Sequence, residues 1–424
     1  MTQLSTRCLK AGLSALHFSG VARATRAIAP FTGGQGALFM LHHVRPRQPQ
    51  AFDPNRLLSI TPEFLEDVVR YVRRAGFDVV SLDDAHLRLT GQDTAKRPFA
   101  CFTFDDGYRD NRDFALPVLK RHGVPFTVYA AADFADGRGF LWWLVLEQVV
   151  RIKSRVSLSI DGAERSFACA TTGEKYGTFR FLYWWLRCRS EAEARGIVLA
   201  LAHKAGIDIH APCRELVMTW PELREFAADP LVTIGAHSVR HMAIAKLPAN
   251  EARAEVADSI ARVQRELGRP CRHFCYPYGN PESAGEREFA LAEELGLLTA
   301  VTTRKGFVGA AAGTRLTAMP RVSLNGEYQR VRYIKALMSG LPFGMWNVIG
   351  RSGACSGQRS GGRTAVTPGA AGPAVAKAAR QGPVYRPAPG SAATAPVPAG
   401  DESMRCIQLT SKQAGHTQAS PPTT

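Results

Sequence analysis

Residues 98–108 read Pro-Phe-Ala-Cys-Phe-Thr-Phe-Asp-Asp-Gly-Tyr. Phe99 to Phe104 form a short aromatic and β-branched run closed by Gly107, which predicts a buried strand ending at Asp105 and Asp106. Alternation along an extended backbone sends neighbouring side chains to opposite sides, so the two carboxylates can hold different jobs. Much later, residues 237–241 read His-Ser-Val-Arg-His. Residues four apart on a helical turn lie about 5–6 Å from each other on one face, close enough for two imidazoles to share a metal. Paired carboxylates after a strand and two histidines at that spacing together suggest one divalent-metal hydrolase site.

Candidate strands fall at 37–41, 78–82, 99–104, 125–131, 231–236, 272–276 and 297–302. Most are separated by helix-period segments at 62–75, 109–122, 251–267, 285–295 and 327–338. Within 251–267, Val256, Ile260, Val263 and Leu267 step by four, three and four into one apolar stripe. This alternation predicts the α/β class, with parallel strands wound into a distorted or incomplete (β/α)7–8 barrel. Barrels of that kind carry their chemistry at the carboxyl ends of the strands. His42, Asp105, Asp106, His237 and Tyr278 each follow a strand run, so residues far apart in sequence are expected at one mouth.

Three segments occur in the order found in the polysaccharide deacetylases, the NodB-homology domain of carbohydrate esterase family four. They are Thr103-Phe104-Asp105-Asp106-Gly107-Tyr108, His237-Ser238-Val239-Arg240-His241 and Phe274-Cys275-Tyr276-Pro277-Tyr278-Gly279. Phe39-Met40-Leu41-His42-His43-Val44 is similar to that family's opening strand, and Ala300-Val301-Thr302-Thr303 and Pro320-Arg321-Val322 to its closing ones. The chain resembles the family over residues 37–340.

The resemblance implies a hydrolase that removes N-acetyl groups from N-acetylglucosamine-type oligo- or polysaccharides. It implies Asp106, His237 and His241 as ligands of a divalent metal, zinc being best suited and cobalt, manganese or nickel tolerated. Asp105 is then the base, and the backbone N–H of Tyr278 helps bind the oxyanion. Pro277, Tyr278 and Tyr108 are expected to contact the substrate. Many members carry arginine three residues before the turn tyrosine, where this chain has Cys275; Arg321 is the expected replacement. The motif that usually supplies the acid is missing too. Some relatives look circularly permuted and take the acid from a first-strand histidine, here His42 with His43 next in line.

Residues 134–230 are long for a connection between strands and hold Trp142, Trp143, Trp184, Trp185 and Trp220. Aromatic faces stack on sugar rings, and Trp142, nearest the strand at 125–131, is the candidate contact. Trp184 and Trp185 are expected to pack the insertion itself.

With 424 residues and 45% hydrophobic content, the chain can bury a full core. Residues 1–36 read as an N-terminal amphipathic segment. From 351 to 424 the sequence turns to Gly, Pro, Ala, Ser and Thr, a composition expected to be disordered. Of the formal +16, residues 1–36 hold +4 and residues 351–424 hold +6, leaving +6 for the barrel region. That distribution and the lack of a nucleic-acid motif argue against a nucleic-acid partner. The partner expected is an acetylated glycan; nothing in the sequence speaks to oligomeric state. Nine cysteines without paired spacing suggest reduced thiols and, with no clear signal peptide and no apolar run of about 20 residues, a cytoplasmic protein without an integral membrane segment. Two other functions fit the same pattern, a catalytically silent glycan binder and a sugar O-acetyl esterase.

Overall fold

The structure is a computed structural model and describes residues 34–309, 315–340, 342 and 343, together with Ala11, Gly12 and Ser14. The tail 351–424 and nearly all of segment 1–36 lie outside the described residues.

Seven parallel strands close into a barrel. They are β1 (Gly36–Leu41), β2 (Phe99–Phe104), β3 (Phe126–Ala130), β4 (Val232–Ala236), β5 (His273–Cys275), β6 (Thr299–Lys305) and β7 (Met319–Ser323). Each pairs with the next in chain order, and β7 returns to β1 with Phe39 opposite Val322 and Met40 opposite Ser323. β1 and β2 run together from Gly36 opposite Phe99 to Leu41 opposite Phe104. Parallel neighbours need crossover connections, supplied here by helices such as Pro62–Arg74, Ala249–Leu267 and Glu286–Glu294.

All six residues of β2 are buried because both of its faces are covered. Ala100, Phe102 and Phe104 join the core beneath the helices, while Phe99 and Cys101 join a second cluster with Leu38, Tyr129, Cys275, Val301 and Met319. Phe102→Ala would remove a fully buried ring, at a cost on the order of 3–5 kcal/mol. The same alternation determines where Asp105 points, because it follows Phe99, Cys101 and Thr103 in parity. On Ala249–Leu267 the buried residues include Ala252, Val256, Ile260 and Val263, and Gly268 ends the helix in the left-handed conformation.

Three elements differ from their expected form, among them the helix expected at 327–338, which is confined to Val331–Leu337. The strand expected at 78–82 is only Asp78–Val79, because Ser81 accepts the Asp84 N–H and starts the helix Leu82–Leu89 with a capping box. The helix expected at 109–122 begins as a π-turn over Asn111–Ala115 before Leu116–Arg121 turns α-helical.

Between β3 and β4 the insertion forms Trp142–Ile152, the hairpin Arg155–Ile160 with Ala163–Ala168, then Thr172–Arg187 and Glu191–Ala205. No described helix is long and apolar enough to cross a membrane.

Candidate metal centre at the barrel mouth

Asp106 stands two residues after β2 at the start of its turn, and His237 follows β4 directly. Asp106 Oδ1 lies 3.5 Å from His237 Nε2 and 3.2 Å from His241 Nε2. Two ligands about 2.1 Å from one ion at the tetrahedral angle sit about 3.4 Å apart, so the three atoms have the spacing of a zinc-type set. All three residues are at most 5% exposed. Asp106 Oδ1 has no hydrogen-bond partner, an unusual state for a buried carboxylate oxygen. His237 Nδ1 lies 2.7 Å from the Cys275 carbonyl, which can only accept. The neutral ring must therefore protonate Nδ1, leaving the Nε2 lone pair facing a carboxylate, an arrangement that calls for a cation between them. Without one, burial opposes charge on His237, yet its Cys275 and Asp106 surroundings hold its pKa well above the ordinary histidine value. Burial pushes Asp106 up, but the two imidazoles hold it well below the usual carboxylate range.

The helical turn expected over His237–His241 does not form. The segment is irregular, with Ser238 at φ 61° and His241 at φ 56°, and Asp106 is left-handed as well at φ 71°. Each such non-glycine residue costs of order 1–3 kcal/mol and persists only where its surroundings over-determine it. Here Ser238 Oγ accepts the His241 N–H at 2.9 Å, and buried Glu255 accepts the Val239 and Arg240 N–H groups at 3.0 and 2.9 Å.

Asp105 faces inward and stays beside that triad, a carboxylate oxygen lying within 4.8 Å of a His237 ring nitrogen. Arg321, 1% exposed on β7, binds both of its oxygens at 2.7 Å. The guanidinium also donates to the Thr302 carbonyl, to Thr103 Oγ1 and to Cys275 Sγ. Burial would raise the Asp105 pKa, but Arg321 outweighs it and keeps the group ionised. His42 Nε2 stands 3.9 Å from Asp105 Oδ2. Burial lowers its pKa, which the two aspartates only partly offset. His43 points the other way, with Nδ1 2.6 Å from Asp110 and its ring stacked on Tyr108.

Tyr278 sits in the turn after β5 at φ 61°, with its carbonyl accepting from Thr303 Oγ1. Gly279 allows that turn to lie against β6, since a Cβ there would stand 2.5 Å from the Thr303 nitrogen. The Tyr278 ring lies 4.8 Å from His241 and under the Arg187 guanidinium at 3.6 Å.

Trp142 and Tyr108 do not occupy the places expected of substrate contacts. Trp142 is 4% exposed, stacks on Tyr183 and donates its indole N–H to Tyr278 Oη at 2.7 Å, leaving no open face for a sugar. Tyr108 is fully buried behind His43. Pro277 is buried too, which leaves half-buried Tyr278 as the accessible member of the expected contact set. Trp185 packs inside the insertion as expected, while Trp184 is half-buried. A cavity of about 1170 Å3 is lined by His43, Asn55, Glu147, Tyr176 and Gln329 among others and by none of the triad.

Sequence reasoning missed Glu255, Asp110, Asn111, Glu191 and Arg195. Glu255 had a signal, an acidic residue next to Val256 on the apolar stripe. Asp110 and Asn111 follow the Asp-Asp-Gly-Tyr segment closely, and Asn111 donates to the His42 carbonyl at 2.7 Å. Glu191 and Arg195 had none, because only the folded insertion brings them to the histidine loop.

The polysaccharide deacetylase family model matches residues 92–157 and 190–299. YxkH of Bacillus subtilis (strain 168), whose name places it among the polysaccharide deacetylases, is 31% identical over 72 residues. That match spans 17% of this chain and about a quarter (26%) of the relative's length. Similar solved structures include the Streptococcus pyogenes deacetylase PplD in complex with acetate, at 15% identity and TM-score 0.47 over 71% of this chain and 97% of that one. IcaB from Ammonifex degensii is 17% identical, with TM-score 0.45 over 73% and 98% of the two chains. The BpsB deacetylase domain from Bordetella bronchiseptica is 17% identical, with TM-score 0.41 over 68% and 95%.

Proposed function

From the polysaccharide deacetylase domain that this chain carries, we propose a metal-dependent hydrolase that removes N-acetyl groups from an N-acetylglucosamine-type oligo- or polysaccharide. The observation that carries this reading is the division of labour between adjacent carboxylates. Asp106 turns an unpartnered oxygen toward two imidazoles, while Asp105 is held ionised by Arg321.

Asp106, His237 and His241 are the residues that would hold the ion. A divalent ion held there would polarise the acetyl carbonyl and make water acidic enough to lose its proton near neutrality. Asp105 accepts that proton, and its two bonds to Arg321 fix the carboxylate as it does so. The Tyr278 N–H donates to the oxygen that becomes negative as the carbonyl carbon turns tetrahedral. His42, beside Asp105 and partly open to solvent, gives a proton to the departing amine.

Acetate release from N-acetylated chitooligosaccharides and acetylated exopolysaccharides, measured beside metal content, tests the reading. Chelator-sensitive release that is lost in Asp105→Asn is expected. A metal-loaded chain that releases acetate only from O-acetyl esters overturns the amide assignment, and one that releases none overturns the hydrolase.

A further inference from the structure

We infer that the insertion between β3 and β4 sets the affinity of the metal centre, with Arg195 as a positioning residue for His241. This rests on the metal-binding reading of the triad and concerns how its third ligand is held.

The two histidines are anchored differently. His237 follows a barrel strand and locks its ring through Nδ1 to the Cys275 carbonyl at 2.7 Å. His241 Nδ1 has no partner, so its ring lacks the second bond that usually orients a ligating imidazole. The position of His241 therefore depends on its left-handed backbone and on the walls around the ring.

The insertion contributes to both, beside the Tyr278 ring and the Ser238 bond already described. Arg195 on the helix Glu191–Ala205 donates from one nitrogen to the carbonyls of Arg240 and His241, at 2.9 and 3.0 Å. Glu191 bonds Arg195 Nε at 3.3 Å and accepts the Ala243 N–H at 3.1 Å, so the pair grips the loop on both sides of His241. The Arg195 and Glu191 side chains are only 15% and 8% exposed, which shields these bonds from water. Phe134 stacks on the His241 ring at 5.4 Å and Trp143 meets it at 5.1 Å.

A second arginine of the insertion provides the contrast. Arg187 lies over the Tyr278 ring and bonds Asn280 and Ser283, bracing the turn after β5 and not the histidine loop.

The test uses the full chain and reads zinc affinity by chelator competition at fixed pH, with the visible spectrum of the cobalt-loaded protein and the melting temperature of the metal-free protein alongside. Arg195→Ala should weaken zinc about 10–100-fold, as loss of such outer partners does, and change the cobalt spectrum. Arg195→Lys should recover part of the affinity, because one ammonium can still reach a carbonyl. Arg187→Ala should leave affinity at the wild-type value while matching Arg195→Ala in metal-free melting temperature. Wild-type affinity in Arg195→Ala overturns the inference, as does an equal loss in Arg187→Ala. Should Arg195→Ala fail to fold, Arg195→Lys decides by the same affinity comparison. A wild-type chain that holds no zinc overturns the metal reading itself, a result distinct from either.

Discussion

Arg321 on β7 binds both oxygens of Asp105 at 2.7 Å, although one strand lies between β7 and the strand that leads to Asp105. Residue 275, beside that guanidinium, is a cysteine whose Sγ accepts a bond from Arg321 at 3.2 Å.

Arg321→Met should therefore alter the pH dependence of catalysis as well as its rate. In the wild type the guanidinium depresses the Asp105 pKa, a contribution to stability present above the unfolded value and lost as pH falls through the lower folded one. Without it burial is opposed only by His42 and His237, Asp105 keeps its proton to higher pH, and the acid limb of the pH–rate profile should move to higher pH, with stability falling by about 3–5 kcal/mol. An acid limb that stays in place, read in Arg321→Lys if the Met variant does not fold, would show that Asp105 is not the base.

Metal stoichiometry separates the two aspartates. Asp106→Ala and His241→Ala should abolish zinc binding, whereas Asp105→Asn should keep the ion and lose most turnover. Zinc lost from Asp105→Asn, measured by elemental analysis, would make Asp105 a ligand instead.

Zinc affinity should fall as pH falls. In the metal-free site the raised His237 pKa means that a proton occupies the imidazole the ion needs, so binding expels it. Titration calorimetry in buffers of different ionisation enthalpy should detect proton release; binding with none would show that His237 is already neutral in the metal-free protein, with its Nε2 lone pair open.

The neighbouring histidines should part company when mutated. His42→Ala should lower turnover by about 10²–10⁴-fold, spare the metal and weaken the alkaline limb, since the protonated ring is the active form and burial lowers its pKa. His43→Ala should act mainly on melting temperature, because it removes the 2.6 Å partner of Asp110 and the ring stacked on Tyr108. If His43→Ala is the more damaging to turnover, the roles swap.

What could be read in advance followed local periodicity. The Phe99–Phe104 strand and the stripe through Val256, Ile260 and Val263 recur with the bounds and burial expected, and His42, Asp105, Asp106, His237 and Tyr278 do converge. The failures needed information that local pattern does not carry. A spacing of four brings two histidines together on a helix, but an irregular loop with two left-handed residues does the same, and Glu255 and Arg195 favour the loop. Trp142 looked like an open sugar platform because its burial depends on Tyr278, a hydrogen-bond partner 136 residues away. Arg321 was found only because the expected arginine was missing at Cys275.

The barrel runs in strict chain order, and its closing strand brings the partner of a buried carboxylate 216 residues distant in sequence. During synthesis, then, the first six strands are complete while Asp105 still lacks its counter-ion and β1 lacks its second neighbour. A chain stopped before β7 is both an open sheet with an unpaired edge and a buried carboxylate without its arginine. Arrival of Met319–Ser323 closes the sheet and neutralises the buried carboxylate in a single late event.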